Sequence, residues 1–240
     1  SIHPEYSHLN FTPLSDEKLI KLFNFLTQFK YIINLNYDLL VYYILLHNTN
    51  KFIDFFLPDR NRNNKLTFHE SISGHQSTTR VYYPHGNILL GVNSSGEEEK
   101  IRQQQGISLL STILSKWSND MDFYPLFVCE GSSKEKVNSI SNNYYLSYIY
   151  RNILTQLPKT IICYGWSLSE NDEHILKQIL KDAQRNHKLL ISIRTSNKSE
   201  LQIETECTNI KNRINNINNN TEIHFFDSSD EGCWLNYHTN

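Results

Sequence analysis

From Leu126 onward the chain alternates short apolar runs with longer segments of helical spacing, and this alternation restricts the fold more than any other feature. "LFVCE" is followed by "SKEKVNSISNNYYLSYIYRNIL", "TIICYG" by "ENDEHILKQILKDAQRN", and "KLLISIR" by a polar helix around "SELQIETECTNIKNRI"; "EIHFF" closes the series. Strands separated by helices are expected to be parallel neighbours, because a parallel pair needs a crossover and the crossover helices cover the sheet. The first half opens in the same way. "SDEKLIKLFNFLTQF" (Ser15 to Phe29) reads as a capped amphipathic helix, "YIINLN" (Tyr31 to Asn36) as a strand, and "DLLVYYILLH" (Asp38 to His47) as a buried helix. "RVYY" and "NILLGV" read as strands flanking Pro84-His85-Gly86, "LPDRNRNNK" and "NSSGEEEK" as surface loops, and "IRQQQGISLLSTILSKW" as a helix despite Gly106. The expected architecture is α/β and Rossmann-like, a mainly parallel sheet with helices on both faces. It occupies a single domain, 1–240, with a helical and loop insertion at about 93–124.

Length and composition agree with one sizeable core, since 39% of the 240 residues are hydrophobic and 12% aromatic. The 23 basic and 25 acidic residues are mixed along the chain, for a formal charge of −2, which leaves no electrostatic footprint for duplex nucleic acid or an anionic membrane. Cys129, Cys163, Cys207 and Cys233 form no C-x-x-C pair, so neither a zinc ribbon nor a disulfide scaffold is expected. With no signal peptide or long apolar run, the expected location is the cytoplasm.

In sheets of this type ligands bind beyond the carboxyl ends of the strands. Four junctions meet that condition: Asn36-Tyr37-Asp38, Pro84-His85-Gly86, Glu130-Gly131-Ser132-Ser133 and Gly165-Trp166-Ser167-Leu168-Ser169. His85, held on a bent loop, can act as a general base near neutral pH or serve as a hydrogen-bonded structural residue. Asn36 suits a turn as well as a ligand, and Asp38 suits a helix N-cap. Ser132 and Glu135 have capping-box spacing, and Ser169 and Asp172 a related one. Gly165 permits close backbone approach to a ligand. The acids Glu170, Asp172 and Glu173 would repel a bare phosphate at the helix start, so a ribose or other hydroxyl-rich group fits this junction better.

Taken in order, "NLNYDLL" (Asn34 to Leu40), "HG" (His85-Gly86), "PLFVCEG" (Pro125 to Gly131) and "YGWSLSENDEHI" (Tyr164 to Ile175) resemble the sirtuin-like NAD-binding superfamily, and more closely a bacterial sirtuin-related family. The likeness covers roughly Tyr31 to Arg194. It implies that Asn36 positions water or substrate beside the nicotinamide ribose, that Asp38 recognises the carboxamide, and that His85 is the base. It assigns cofactor contacts to Gly86, Gly131, Ser132, Gly165, Ser167, Ser169 and Asp172. The absence of paired cysteines disfavours a zinc-containing deacylase, and no metal is needed. No G-x-G occurs among the 8 glycines, so the family's glycine-rich loop is expected upstream of Ser1. The implied activity is hydrolysis of NAD to nicotinamide and ADP-ribose, in bacterial antiphage defence. The alternatives are a silent NAD or ADP-ribose binding module that signals to a partner, in a homo-oligomer or with another protein, and a sirtuin-type deacylase.

Overall fold

The computed structural model describes residues 16–47, 50–73, 78–103, 106–128 and 131–236. Ser15, read above as a helix cap, Cys129, in the strand "LFVCE", and Glu130, in the third junction, lie outside them. Two compact units divide the chain: Ser1–Cys129 with Ser139–Ser147, and Glu130–Asn138 with Tyr148–Asn240.

In the first unit the order is α1 (Asp16–Leu26), β1 (Tyr31–Ile33), α2 (Leu40–His47), β2 (Phe52–Ile53), β3 (Phe56–Asp59), β4 (Lys65–Phe68), β5 (Thr79–Tyr82), β6 (Gly86–Val92), β7 (Glu98–Lys100), α3 (Leu109–Asn119) and β8 (Tyr124–Phe127). β1 and β2 both pair in parallel with β5. The remaining strands form a second sheet, ordered β3-β4-β7-β6-β8, in which every pairing is antiparallel. Leu39 and Tyr42 of the α2 segment, Leu109 and Ile113 of α3, and Ile88 and Leu89 of β6 share one buried cluster with Ile101 and Phe123.

The expectation of a mainly parallel sheet is therefore corrected to a mixed α/β chain whose largest sheet is antiparallel. The physical reason lies in the two segments read as surface loops, which are hairpins. In "LPDRNRNNK", Asn63 and Asn64 take positive φ (51° and 56°) between β3 and β4, a conformation asparagine tolerates. In "NSSGEEEK", the Asn93 side chain accepts from the amides of Ser95 and Glu97, and Gly96 turns at φ 79°. The charges fit a sheet because they are partnered. Glu99 meets Lys65 and Lys116, and Glu98 accepts from the Tyr145 amide at 2.8 Å. β5 and β6 flank Pro84-His85-Gly86 as expected, but they belong to different sheets.

Gly86 makes that change of sheet feasible. It has φ 77°, and a Cβ there would stand 2.0 Å from the Leu126 carbonyl oxygen, inside the β6–β8 approach.

The helices α4 (Ser133–Ser141) and α5 (Tyr144–Tyr148) are separated by a break at Asn142-Asn143. Beyond them come β9 (Thr160–Cys163), α6 (Glu173–Ile179), β10 (Lys188–Ile193), α7 (Glu200–Ile217) and β11 (Glu222–Asp227). Here the alternation does yield a wholly parallel sheet, β11-β10-β9. Its middle strand buries Leu189, Ile191 and Ile193, and α7 buries Ile210 and Ile214, four residues apart on one face. α7 starts with a complete capping box between Ser199 and Gln202. Among the described residues no helix is long and apolar enough to cross a membrane.

Two glycines with similar dihedrals separate steric from conformational need. Gly86→Ala is expected to cost about 2 kcal/mol or more, because strain and overlap with backbone combine. Gly165→Ala, at φ 66° with nothing within 4 Å of its Cβ, is expected to cost about 1 kcal/mol. Urea unfolding of both variants measures the difference, and equal losses would contradict it.

Candidate functional site

In the first unit, the ends of β1 and β5 bring two of the quoted motifs to one sheet edge. The parallel register ends on the pair Ile33–Tyr82, which the Asn34 amide completes by donating to the Tyr82 carbonyl at 2.9 Å, the last rung. Beyond that rung the chains part, one into α2 and the other through Pro84-His85-Gly86.

A third segment holds both chains. The Val128 amide donates to the His85 carbonyl at 2.8 Å, and the Tyr37 hydroxyl donates to the Val128 carbonyl at 2.6 Å. The Tyr37 and His85 rings stack at 6.4 Å with 28° between planes, and Tyr37 also meets Phe127. "NYD", "HG" and the strand of "PLFVCEG" therefore converge here. His85 is 2% exposed. Asn36 is exposed, its amide donating to the Asn34 side chain at 3.1 Å. Asp38 stands one residue before the N-cap of α2, Leu39, and turns the chain into the helix: its Oδ1 accepts from the Leu40 amide at 2.9 Å, while its carbonyl accepts from the Asn87 side chain. Gly86 has the structural need given above.

The second unit carries the other two junctions. Ser132 donates its amide and its hydroxyl to Glu135 Oε2, at 2.7 and 2.8 Å, and accepts from the Glu135 amide at 3.4 Å. This is the expected capping box. These bonds, from the Ser132 amide and then its hydroxyl, hold the Glu135 carboxyl below its usual range. Gly131, at φ 99°, leaves room for Glu135, whose side chain would lie 3.0 Å from a Cβ there.

Past β9, the Gly165 amide donates to Ser192 Oγ at 2.9 Å, and the residue is exposed with open space before it. Ser167 is also exposed, and Ser169 is half-buried. The expected Ser169–Asp172 cap does not form through side chains. Ser169 makes no capping hydrogen bond with its hydroxyl, its carbonyl accepts from the Asp172 amide, and the Asp172 carboxylate instead meets Lys136 at 2.8 Å. The competing cation wins because Lys136 is buried and needs a counter-charge. Ser167 and Ser169 line a groove of about 790 Å³ opposite Gln202, Thr205 and Asn209 of α7. Arg213 holds this loop by donating to the Leu168 carbonyl at 2.6 Å.

A buried polar group stands around that Asp172–Lys136 pair, and sequence reasoning assigned it no role. His174 is 3% exposed, its amide donates to Ser133 Oγ at 2.8 Å, and its Nδ1 lies 3.2 Å from the same oxygen. Tyr150 packs on the imidazole and donates to the His174 carbonyl at 3.3 Å. Burial is the main cause that pushes the His174 pKa down to about 4. Lys136 adds to the fall, while Asp172 and a bond to the Asn171 backbone oppose it. His174 sits inside "SENDEHIL", so its motif was visible. Lys136, in "SSKEK", reads as a solvent-facing charge, and only packing reveals its burial.

The chain belongs to the family described as "Domain of unknown function (DUF4917)", whose family model matches residues 1–234. No curated protein matches the sequence.

The His174 environment predicts a pH dependence of stability. The neutral ring is the folded form, so its contribution is complete above the ordinary pKa of 6.5 and is lost as pH falls from there toward about 4, where only the unfolded chain takes up the proton. Thermal melts at steps between pH 7 and 4 are expected to fall more steeply for the parent than for His174→Asn, which keeps an acceptor near Ser133 and removes the titration. Parallel curves would count against the assignment.

Proposed function

We propose that this protein binds NAD and hydrolyses it to nicotinamide and ADP-ribose, with the chemistry at the carboxyl edge of β1 and β5. The supporting observation is the convergence on Val128, where the tyrosine of "NYD" and the histidine of "HG" are fastened to the same residue and stack on each other. That convergence accords with the resemblance to sirtuin-like NAD-binding proteins, in which these motifs serve one ligand. A Rossmann-like architecture belongs to the same reading.

The reaction suits these residues. The bond between the ribose C1′ and the pyridinium nitrogen breaks, and neutral nicotinamide leaves with the electron pair. A water oxygen bonds to C1′ and gives its proton to His85. Because the leaving group departs uncharged, no strong acid is required, and an oriented water, a base and an anchor suffice. Asn36, exposed at the strand end, orients the water or a ribose hydroxyl, and Asp38 anchors the carboxamide.

A second reading, binding of NAD or ADP-ribose without cleavage, is favoured by the burial of His85. A role in bacterial antiphage defence, within the cytoplasm and with a homo-oligomeric or other protein partner, belongs to the proposal on resemblance alone.

Purified protein incubated with NAD is expected to release nicotinamide, measured chromatographically, and Asn36→Ala is expected to lower the rate at least about a hundredfold with an unchanged melting temperature. Binding by calorimetry without release would transfer the assignment to the second reading. Release that depends on an acyl-lysine peptide would identify a deacylase, and neither binding nor release would end the NAD reading.

A further inference from the structure

Asn34 and Tyr83 stand side by side one residue beyond the β1–β5 ladder. The Asn34 amide donates to the Tyr82 carbonyl and so closes the last pair of the ladder, Ile33 with Tyr82; Asn34 and Tyr83 are the next residue of each strand, and strand alternation puts them on one face. Asn34 is 7% exposed and Tyr83 is 2% exposed. The Asn34 Nδ2 and the Tyr83 hydroxyl are both buried, and neither has a hydrogen-bond partner among the described residues. Buried polar atoms in native proteins are almost always satisfied, so two orphans at adjacent positions point to a group that arrives from outside. The Asn34 amide orientation is set, because its Oδ1 accepts from the Asn36 amide, and Nδ2 is left as a donor.

We propose that Asn34 Nδ2 and the Tyr83 hydroxyl form a donor pair that receives the carbonyl oxygen of a neutral carboxamide ligand. Tyr83 stays a donor, since burial first, then the Asp54 charge, the Tyr145 and Tyr42 hydroxyls and the Asp38 charge all raise its pKa well above the usual value. An anionic ligand is disfavoured. The buried Lys100 is already bound to Asp54, whose charge, like that of Asp38, acts on the Tyr83 hydroxyl. The choice of a carboxamide rests on the NAD reading, whereas the donor pair does not.

Benzamide and benzoate test the pair without involving a glycosidic bond, so failure here is separable from failure to hydrolyse NAD. By calorimetric or NMR titration, the folded parent chain is expected to bind benzamide at least tenfold more tightly than benzoate. Tyr83→Phe is expected to weaken benzamide binding about tenfold while leaving the melting temperature equal or higher, because it removes an unsatisfied buried hydroxyl. Asn34→Asp keeps the acceptor for the Asn36 amide, replaces the donor with an acceptor, and is expected to abolish binding. No benzamide binding by the parent, or equal binding of benzoate, would overturn the proposal. So would a Tyr83→Phe variant that binds like the parent and melts lower, the behaviour of a hydroxyl that holds a structural water.

Discussion

The close approach of β6 to β8 at Gly86 is the constraint on which the first unit depends. A chain leaving a parallel sheet must turn without stranding its amides and carbonyls, and here it enters an antiparallel sheet within four residues of Tyr82. The turn succeeds because Gly86 lies almost against the Leu126 carbonyl, a position closed to any side chain. His85 is fixed as a result: its carbonyl takes the Val128 amide, its ring lies against Tyr37, and Tyr37 returns to the Val128 carbonyl. One steric requirement thus positions the histidine, the tyrosine and the end of β8 together.

Buried charge is organised differently in each unit. In the first, Lys100 pairs with Asp54 and lies over the Tyr42 and Phe56 rings, 5.2 and 5.6 Å from their centroids. Glu98 sits nearby on the same strand, β7, with the Tyr145 amide as donor, and burial still raises its pKa. In the second, Lys136 pairs with Asp172, and burial keeps the neighbouring His174 neutral. A buried ion pair adds little net stability over well-packed apolar residues, but removing one partner is strongly destabilising. These pairs therefore select one arrangement of their elements and penalise alternatives.

Residue types announced some local roles and concealed others. Asp38 turns the chain into a helix, Ser132 and Glu135 cap one another, and Ser199 opens α7, because such contacts span three residues or fewer and depend on little else. Ser169 and Asp172 have similar spacing and fail, since Lys136, distant in sequence, claims the carboxylate. The hairpins at Asn63-Asn64 and Asn93–Glu97 went unrecognised for a related reason. The segments that hold them, "LPDRNRNNK" and "NSSGEEEK", are polar and charged, and charge reads as exposed loop until the cross-strand partners are known.

By itself the sequence determined the parallel pairing of β9, β10 and β11, the turn at Asp38 that leads into α2, and the carboxyl ends at which Asn36, His85 and Gly165 lie, because strand–helix alternation and turn chemistry act over short distances. Tertiary structure decided the rest: the antiparallel sheet of the first unit, the fastening of Tyr37 and His85 to Val128, the burial of Lys136 and His174, and the unsatisfied Asn34 and Tyr83 donors. Each of these depends on which distant residues share a neighbourhood, and burial and counter-charge are set there, not by spacing along the chain.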